Sequence, residues 1–183
     1  MHICAQHGMV RPMTRRLLAL TAALFAVSAA PAAALPVDVV AVLGDPLSKL
    51  EGKVDVPVLL PDTLDFDYDK KLYGSGGVTA KGYDISIAGA RNCGANACAF
   101  GFFSAERGGT FAYRTKVKLR GGVPARFKGL TCGASCSPAA IQFKKGGVLY
   151  EVSAKLALNT DAKLKKALTK AANEALRAGD RMR

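Results

Sequence analysis

Between residues 83 and 158 lie several short runs in which apolar side chains recur at every second position, and this alternation constrains the fold more than any other feature. Tyr83, Ile85 and Ile87 alternate with Asp84 and Ser86. Phe111, Tyr113, Thr115, Val117 and Leu119 alternate with Ala112, Arg114, Lys116, Lys118 and Arg120. Val148, Tyr150, Val152, Ala154, Leu156 and Leu158 alternate with Glu151, Ser153 and Lys155. A period of two turns successive side chains to opposite faces of a pleated strand, so each run buries one face and wets the other. Gly121-Gly122 is a two-residue hairpin signal, and Lys144-Lys145-Gly146-Gly147 is a second turn. "CAFGFFSA", "VPARFKGL" and "AIQF" supply further short strands. "VDVPVLLP" reads as an edge strand, because Pro57 and Pro61 cannot donate ladder hydrogen bonds.

After residue 158 the period changes. Leu164, Ala167, Leu168, Ala171, Ala172, Ala175 and Leu176 recur at helical spacing. Asn159, Thr160 and Asp161 offer caps at the start, and Gly179 can close the end. Lys163, Lys165, Lys166 and Lys170 occupy the other face. The fold class expected is α+β: an antiparallel sheet of about five to seven strands with a C-terminal helix packed on it.

The N-terminus decides the compartment. Arg11, Arg15 and Arg16 precede an apolar run over residues 17–27, and Ala32-Ala33-Ala34 fits a cleavage site. The run is too short to span a bilayer, which takes about 20 apolar residues. Residues 1–34 are therefore expected to be a signal peptide, residues 35–53 an entry segment or linker, and residues 54–183 a single α+β domain. The protein expected is periplasmic or secreted.

Removal of the leader takes Cys4 with it and leaves four cysteines, Cys93, Cys98, Cys132 and Cys136. It also removes His2 and His7, the only histidines. Zinc then loses one of its two usual donors, and the spacings do not match the paired C-x2-C of a zinc or thioredoxin-type site. Export favours structural disulfides. The local pairs Cys93–Cys98 and Cys132–Cys136 are favoured because each spans a short loop of small residues; a bond between the two motifs is the rival pairing.

Without histidine, Ser-His-Asp and Cys-His catalysis is excluded. No S-x-x-K and no P-loop is present, and residues 74–77, "GSGG", read as a flexible turn. Asp65, Asp67 and Asp69 form the best carboxylate cluster, but a calcium loop starting at Asp65 would need Gly and Glu where Lys70 and Gly76 stand. Glu106 and Glu151 are the only glutamates in the sheet region, nothing in their spacing brings them together, and there is no Trp to stack on a sugar. No catalytic residue, metal or cofactor is expected.

Charge divides the chain. Residues 38–69 hold eight acids and two lysines, whereas residues 70–183 hold 21 Lys and Arg against six acids. The acidic segment can lie on the basic body, or the cations can form a binding surface. Arg114, Lys116, Lys118 and Arg120, with Arg126 and Lys128, are expected to project from one sheet face. Such a face suits an anionic envelope polymer or lipid head groups. Nucleic acid fits poorly, because the chain is exported and the face shows no interleaved aromatics.

Three elements carry a resemblance: Cys93-Gly94-Ala95-Asn96-Ala97-Cys98, then Cys132-Gly133-Ala134-Ser135-Cys136, then Gly147-Val148-Leu149-Tyr150 before an Ala-rich helix. On these, residues 83–175 resemble uncharacterised secreted bacterial proteins with C-G-A-N-x-C and C-G-A-x-C loops, a group that often has Trp where this chain has Phe143. More loosely, the final strand and helix look like the end of small extracytoplasmic domains found beside anti-sigma-factor proteins. The resemblance implies a non-catalytic envelope domain. The function expected is an exported domain binding an anionic envelope component through its basic sheet face; the alternative is a carboxylate-dependent hydrolase or a calcium-binding protein.

Overall fold

The computed structural model describes residues 36–133 and 135–183; the expected signal peptide lies outside them. In chain order the elements are β1 (Val37–Asp38), α1 (Val39–Val42), α2 (Gly44–Leu50), β2 (Thr63–Leu64), β3 (Tyr73–Thr79), β4 (Gly82–Ala88) and β5 (Ala99–Arg107). There follow β6 (Thr115–Lys118), β7 (Pro124–Lys128), β8 (Thr131–Cys132), β9 (Cys136–Ser137), β10 (Ala139–Lys145), β11 (Val148–Ala154) and α3 (Asp161–Ala178). The fold is α+β, as the alternation implies. Seven strands form one antiparallel sheet in the order β3-β4-β5-β11-β10-β7-β6, and α3 packs on it.

The chain builds this sheet by leaving β5, crossing to the far edge at β6, and returning by hairpins until β11 closes against β5. Gly146 and Gly147 take φ of 58° and 77°, which a two-residue hairpin of this hand requires. The β6–β7 turn is longer than the Gly121-Gly122 pair implied. It spans Arg120–Gly122, with the Gly122 amide donating to the Leu119 carbonyl at 3.1 Å.

One face of the sheet is the core. Across its rows, Ile85 opposes Phe103, Phe103 opposes Val152, Val152 opposes Ile141 and Ile141 opposes Phe127. All five are buried. Helix α3 covers β10 and β11 with Leu164, Leu168, Ala171, Ala172 and Ala175. Burial of each leucine contributes on the order of 1.5–3 kcal/mol, and the alanines let the helix approach closely. The Thr160 hydroxyl caps α3 by accepting from the Lys163 amide at 3.3 Å, and Gly179 ends it at a φ of 74°. Among the described residues, no helix is long and apolar enough to cross a membrane.

Three segments differ from the sequence reading. Residues 37–50, read as an entry segment or linker, put Val39, Leu43, Leu47 and Leu50 into the core. Residues 54–61, read as an edge strand, bend at 55–56 and pair with no strand among the described residues. Side chains tie them down instead. The Leu59 amide donates to the buried Tyr83 hydroxyl at 3.2 Å, and the Val58 amide to Asp180 Oδ1 at 2.9 Å. Burial pushes the Tyr83 phenol far above its ordinary pKa. Residues 74–77 are not a turn but the middle of edge strand β3. A Cβ on Gly74 would stand 2.6 Å from the Val42 carbonyl oxygen, so glycine there lets α1 and α2 lie against the sheet.

Both local disulfides are present, Cys93–Cys98 and Cys132–Cys136. The first closes the β4–β5 connection, and the second closes the β8–β9 hairpin between β7 and β10. Strands β5 and β10 are each antiparallel to β11, so both start at one end of the sheet and both cysteine loops project there. The acidic segment partly lies on the basic body. Asp62 pairs with Arg177 at 2.7 Å and with Arg181, and Asp55 pairs with Arg107 at 2.9 Å.

Candidate functional site: a basic sheet face

The sheet face away from α3 is polar, and its charge is ordered. Register places Asp84, Ser104, Glu151, Gln142, Arg126 and Lys116 in one row across six strands. Acids occupy the β4, β5 and β11 part, with Glu106 adding to it opposite Leu149. Cations occupy β10, β7 and β6. Burial, and then the neighbouring Glu106, holds the Asp84 carboxyl above its ordinary pKa. Glu106 and Glu151, which the spacing left unrelated, stand as diagonal neighbours on adjacent strands.

A strap crosses this face. Residues 108–114 connect β5 to β6 and must pass over β11, β10 and β7 to do so. Strand alternation predicts one run over residues 111–120, but only residues 115–118 pair as a strand. The rest is fixed by side chains. The Ala112 amide donates to Gln142 Oε1 at 2.9 Å. Gln142 Nε2 donates to Glu151 Oε2 at 2.8 Å, and the Tyr113 hydroxyl donates to Glu151 Oε1 at 2.9 Å. Burial, then the Glu151 charge, raises the Tyr113 phenol well above its ordinary pKa. Gln142 is 5% exposed, so this network satisfies a polar side chain that would otherwise be costly under the strap.

The strap also lays aromatic rings among the cations. Arg126 stands 4.9 Å from the Phe111 ring centre and Lys144 stands 5.4 Å from it. Lys128 stands 5.5 Å from the Tyr113 ring centre. Alternation puts Phe111 and Tyr113 on the face opposite the cations, but residues 108–114 do not continue β6, and their crossing brings both rings among the cations. Lys144 was missed for a related reason: it was read as part of a turn, whereas it is a ladder residue opposite Leu149.

Of the six predicted cations, four stand on this face. Lys116 lies directly opposite Arg126, with Lys118 and Lys128 beside them. Arg114 leads into β6 and lines a cleft of about 600 Å³ that also holds Lys128, Lys165 and Asp161. Arg120 does not join the group. It sits in the turn after β6, where its amide donates to Asn173 Oδ1 of α3 at 2.7 Å, and it lines a separate groove with Lys166, Lys170 and Arg177. Among the described residues, Arg114, Lys116, Lys118, Arg126, Lys128 and Lys144 make no ion pair.

The other predicted features fall elsewhere. Asp65, Asp67 and Asp69 are exposed around the buried Phe66, which bridges to Leu156. Among the described residues, no three His, Cys, Asp or Glu side chains are grouped to hold a metal ion. The Cys93–Cys98 loop is anchored by Lys155. Its ammonium donates to the Asn96 carbonyl, and to that of Ala97 at 3.3 Å, while burial lowers its pKa. No family model, curated protein or solved structure matches this chain.

Proposed function

We propose that this is an exported, non-catalytic domain of the cell envelope that binds an anionic envelope component through Lys116, Lys118, Arg126, Lys128 and Lys144, with Arg114 at the mouth of the adjoining cleft. The observation that carries the reading is the Lys116–Arg126 cross-strand pair. Like charges directly opposite each other weaken a sheet. Among the described residues neither cation makes an ion pair, and neighbouring cations on β6, β7 and β10 add to the repulsion. A face built for stability alone would mix the two signs, whereas here the acids Asp84, Glu106 and Glu151 stand together on β4, β5 and β11 and the cations together on β10, β7 and β6. An anion bound from outside relieves the repulsion, so the field favours phosphate- or carboxylate-bearing surfaces. The rings of Phe111 and Tyr113 hold Arg126, Lys144 and Lys128 in place and lower the ordering cost of binding.

Two disulfides in a chain of this size support an oxidising compartment, and hence export. Lipid head groups and acidic polysaccharide share the required chemistry, and nucleic acid is set aside because the compartment does not offer it. Co-sedimentation tests the reading, with vesicles containing phosphatidylglycerol in one arm and an acidic polysaccharide in the other. Binding is expected at low salt and should fall as screening shortens from about 10 Å at 0.1 M to about 3 Å at 1 M. No binding in either arm at low salt contradicts it.

A further inference from the structure

We propose that the edge of β3, unpaired among the described residues, is a docking site for an extended acidic peptide of a partner protein, which adds as a further strand to the sheet. The two edges of the sheet differ. Strand β6 is short and exposes Lys116 and Lys118, features that discourage another chain from pairing. Strand β3 is seven residues long and reads Tyr-Gly-Ser-Gly-Gly-Val-Thr. It has no charged residue, no proline and no register shift against β4. Its turn is the two residues Ala80 and Lys81, so Thr79 and Gly82 form a bonded pair. By alternation, Gly77, Ser75 and Tyr73 also bond inward. Gly74, Gly76 and Val78 therefore turn their main-chain donors and acceptors outward, and Val78 is 46% exposed.

The edge opens into a cleft of about 690 Å³. Val42 and Pro46 line it on the side that the Gly74 Cβ position faces, its floor; by alternation the neighbouring Tyr73 turns to the other side, where Lys71 and Arg91 stand with it at the rim. Lys71 and Arg91 both stack on Tyr73, at 5.5 and 5.3 Å from its ring centre. Neither makes an ion pair among the described residues. Lys49 adds a third cation to the cleft and Asp45 a single acid. A strand added here would alternate its side chains between floor and rim. Apolar residues would meet Val42 and Pro46, and acidic residues would meet Lys71 and Arg91. Main-chain pairing to Gly74, Gly76 and Val78 would supply affinity, and the alternating pattern would supply selectivity.

The probe is a synthetic eight-residue peptide alternating Asp and Val, with a Lys–Val peptide as its counterpart. Binding is read by fluorescence anisotropy and by amide shifts in the protein. The Asp–Val peptide is expected to bind with shifts at Gly74, Gly76 and Val78, and the Lys–Val peptide to bind at least about tenfold more weakly. Val78→Pro removes one outward donor without touching the β4 ladder, and Val78→Lys blunts the edge with a charge. Either should weaken binding at least about tenfold. The Lys116, Lys118 and Lys128 to Glu triple variant should bind the peptide as the parent does, which separates this site from the basic face. Absence of binding, equal binding of both peptides, or undiminished binding by both Val78 variants overturns the proposal. So does a concentration-dependent dimer in sedimentation that Val78→Lys dissolves, because the occupant would then be a second copy.

Discussion

Replacing Gln142 by Met tests whether the strap is held by its polar network. The change keeps side-chain length and approximate volume while removing both hydrogen bonds. The bond from the Ala112 amide is neutral and contributes about 1 kcal/mol; the bond to the Glu151 carboxylate falls in the range of about 1.5–3 kcal/mol. Glu151 is only partly buried and Ala112 is exposed, so water replaces part of each. The expected net loss is about 2 kcal/mol, or a fall in Tm of roughly 4–8 °C for a domain of this size. Urea unfolding followed by circular dichroism should show the midpoint moving with the slope unchanged. Tyr113→Phe should couple to Gln142→Met in a double-mutant cycle, since both side chains bond the same carboxylate. A loss below about 0.5 kcal/mol, or strict additivity, would refute the network as the anchor of the strap.

Four further outcomes follow from the geometry. Mass spectrometry of non-reduced tryptic peptides should find Cys93 joined to Cys98 and Cys132 to Cys136; a Cys4 zinc site or a peptide linking the two loops contradicts this. Removing either bridge as a Cys→Ser pair should cost about 2 kcal/mol, because loops this short limit the unfolded chain only modestly. The hydrogen bond from Arg181 and the charge of Arg177 hold the Asp62 carboxyl below its ordinary pKa. A depressed folded-state pKa gives stability that is present above about pH 4 and lost as pH falls through the folded value. Asp62→Asn should therefore flatten the acid limb of the stability profile, by about 1 kcal/mol or less given its exposure, and an unchanged limb refutes the pairing. At Gly82 an added Cβ would stand 2.0 Å from the Ala105 carbonyl oxygen, so Gly82→Ala should lower stability by more than about 2 kcal/mol in the same urea assay.

The strands and the closing helix were legible because each obeys a local rule. The alternation from Tyr83 to Ile87 and from Val148 to Ala154, the cap at Thr160 and the stop at Gly179 all depend on residues a few positions apart. Strand order was not legible, since it is set by which hairpin closes against β5, and the Lys144–Phe111 and Lys128–Tyr113 contacts depend on that order. Four of six predicted cations share the face for the reason given by their alternation, but Arg120 leaves it because the β6–β7 turn is one residue longer than two glycines imply. Residues 74–77 were misread because three glycines look like a turn on propensity. Their strand exists through pairing with β4, and glycine is needed where α1 closes on it. Residues 54–61 had the opposite fault. The pattern looked like a strand, yet their main-chain groups found Tyr83, Asp180 and Arg181 before any ladder.

The central claim is that binding belongs to one face and not to net charge. The direct test compares two triple variants that remove equal charge, Lys116, Lys118 and Lys128 to Glu on the sheet, and Lys163, Lys166 and Lys170 to Glu on α3. The sheet variant should remain folded, because Lys116→Glu turns the like-charge pair with Arg126 into an opposite-charge pair worth about 0.2–1 kcal/mol. Titrated with phosphatidylglycerol vesicles and with acidic polysaccharide at one low salt concentration, the sheet variant should lose at least about tenfold in affinity, while the helix variant stays within about twofold of the parent. Equal losses by the two variants would contradict the account, and the cations of β6 and β7 would then be only a solvated surface.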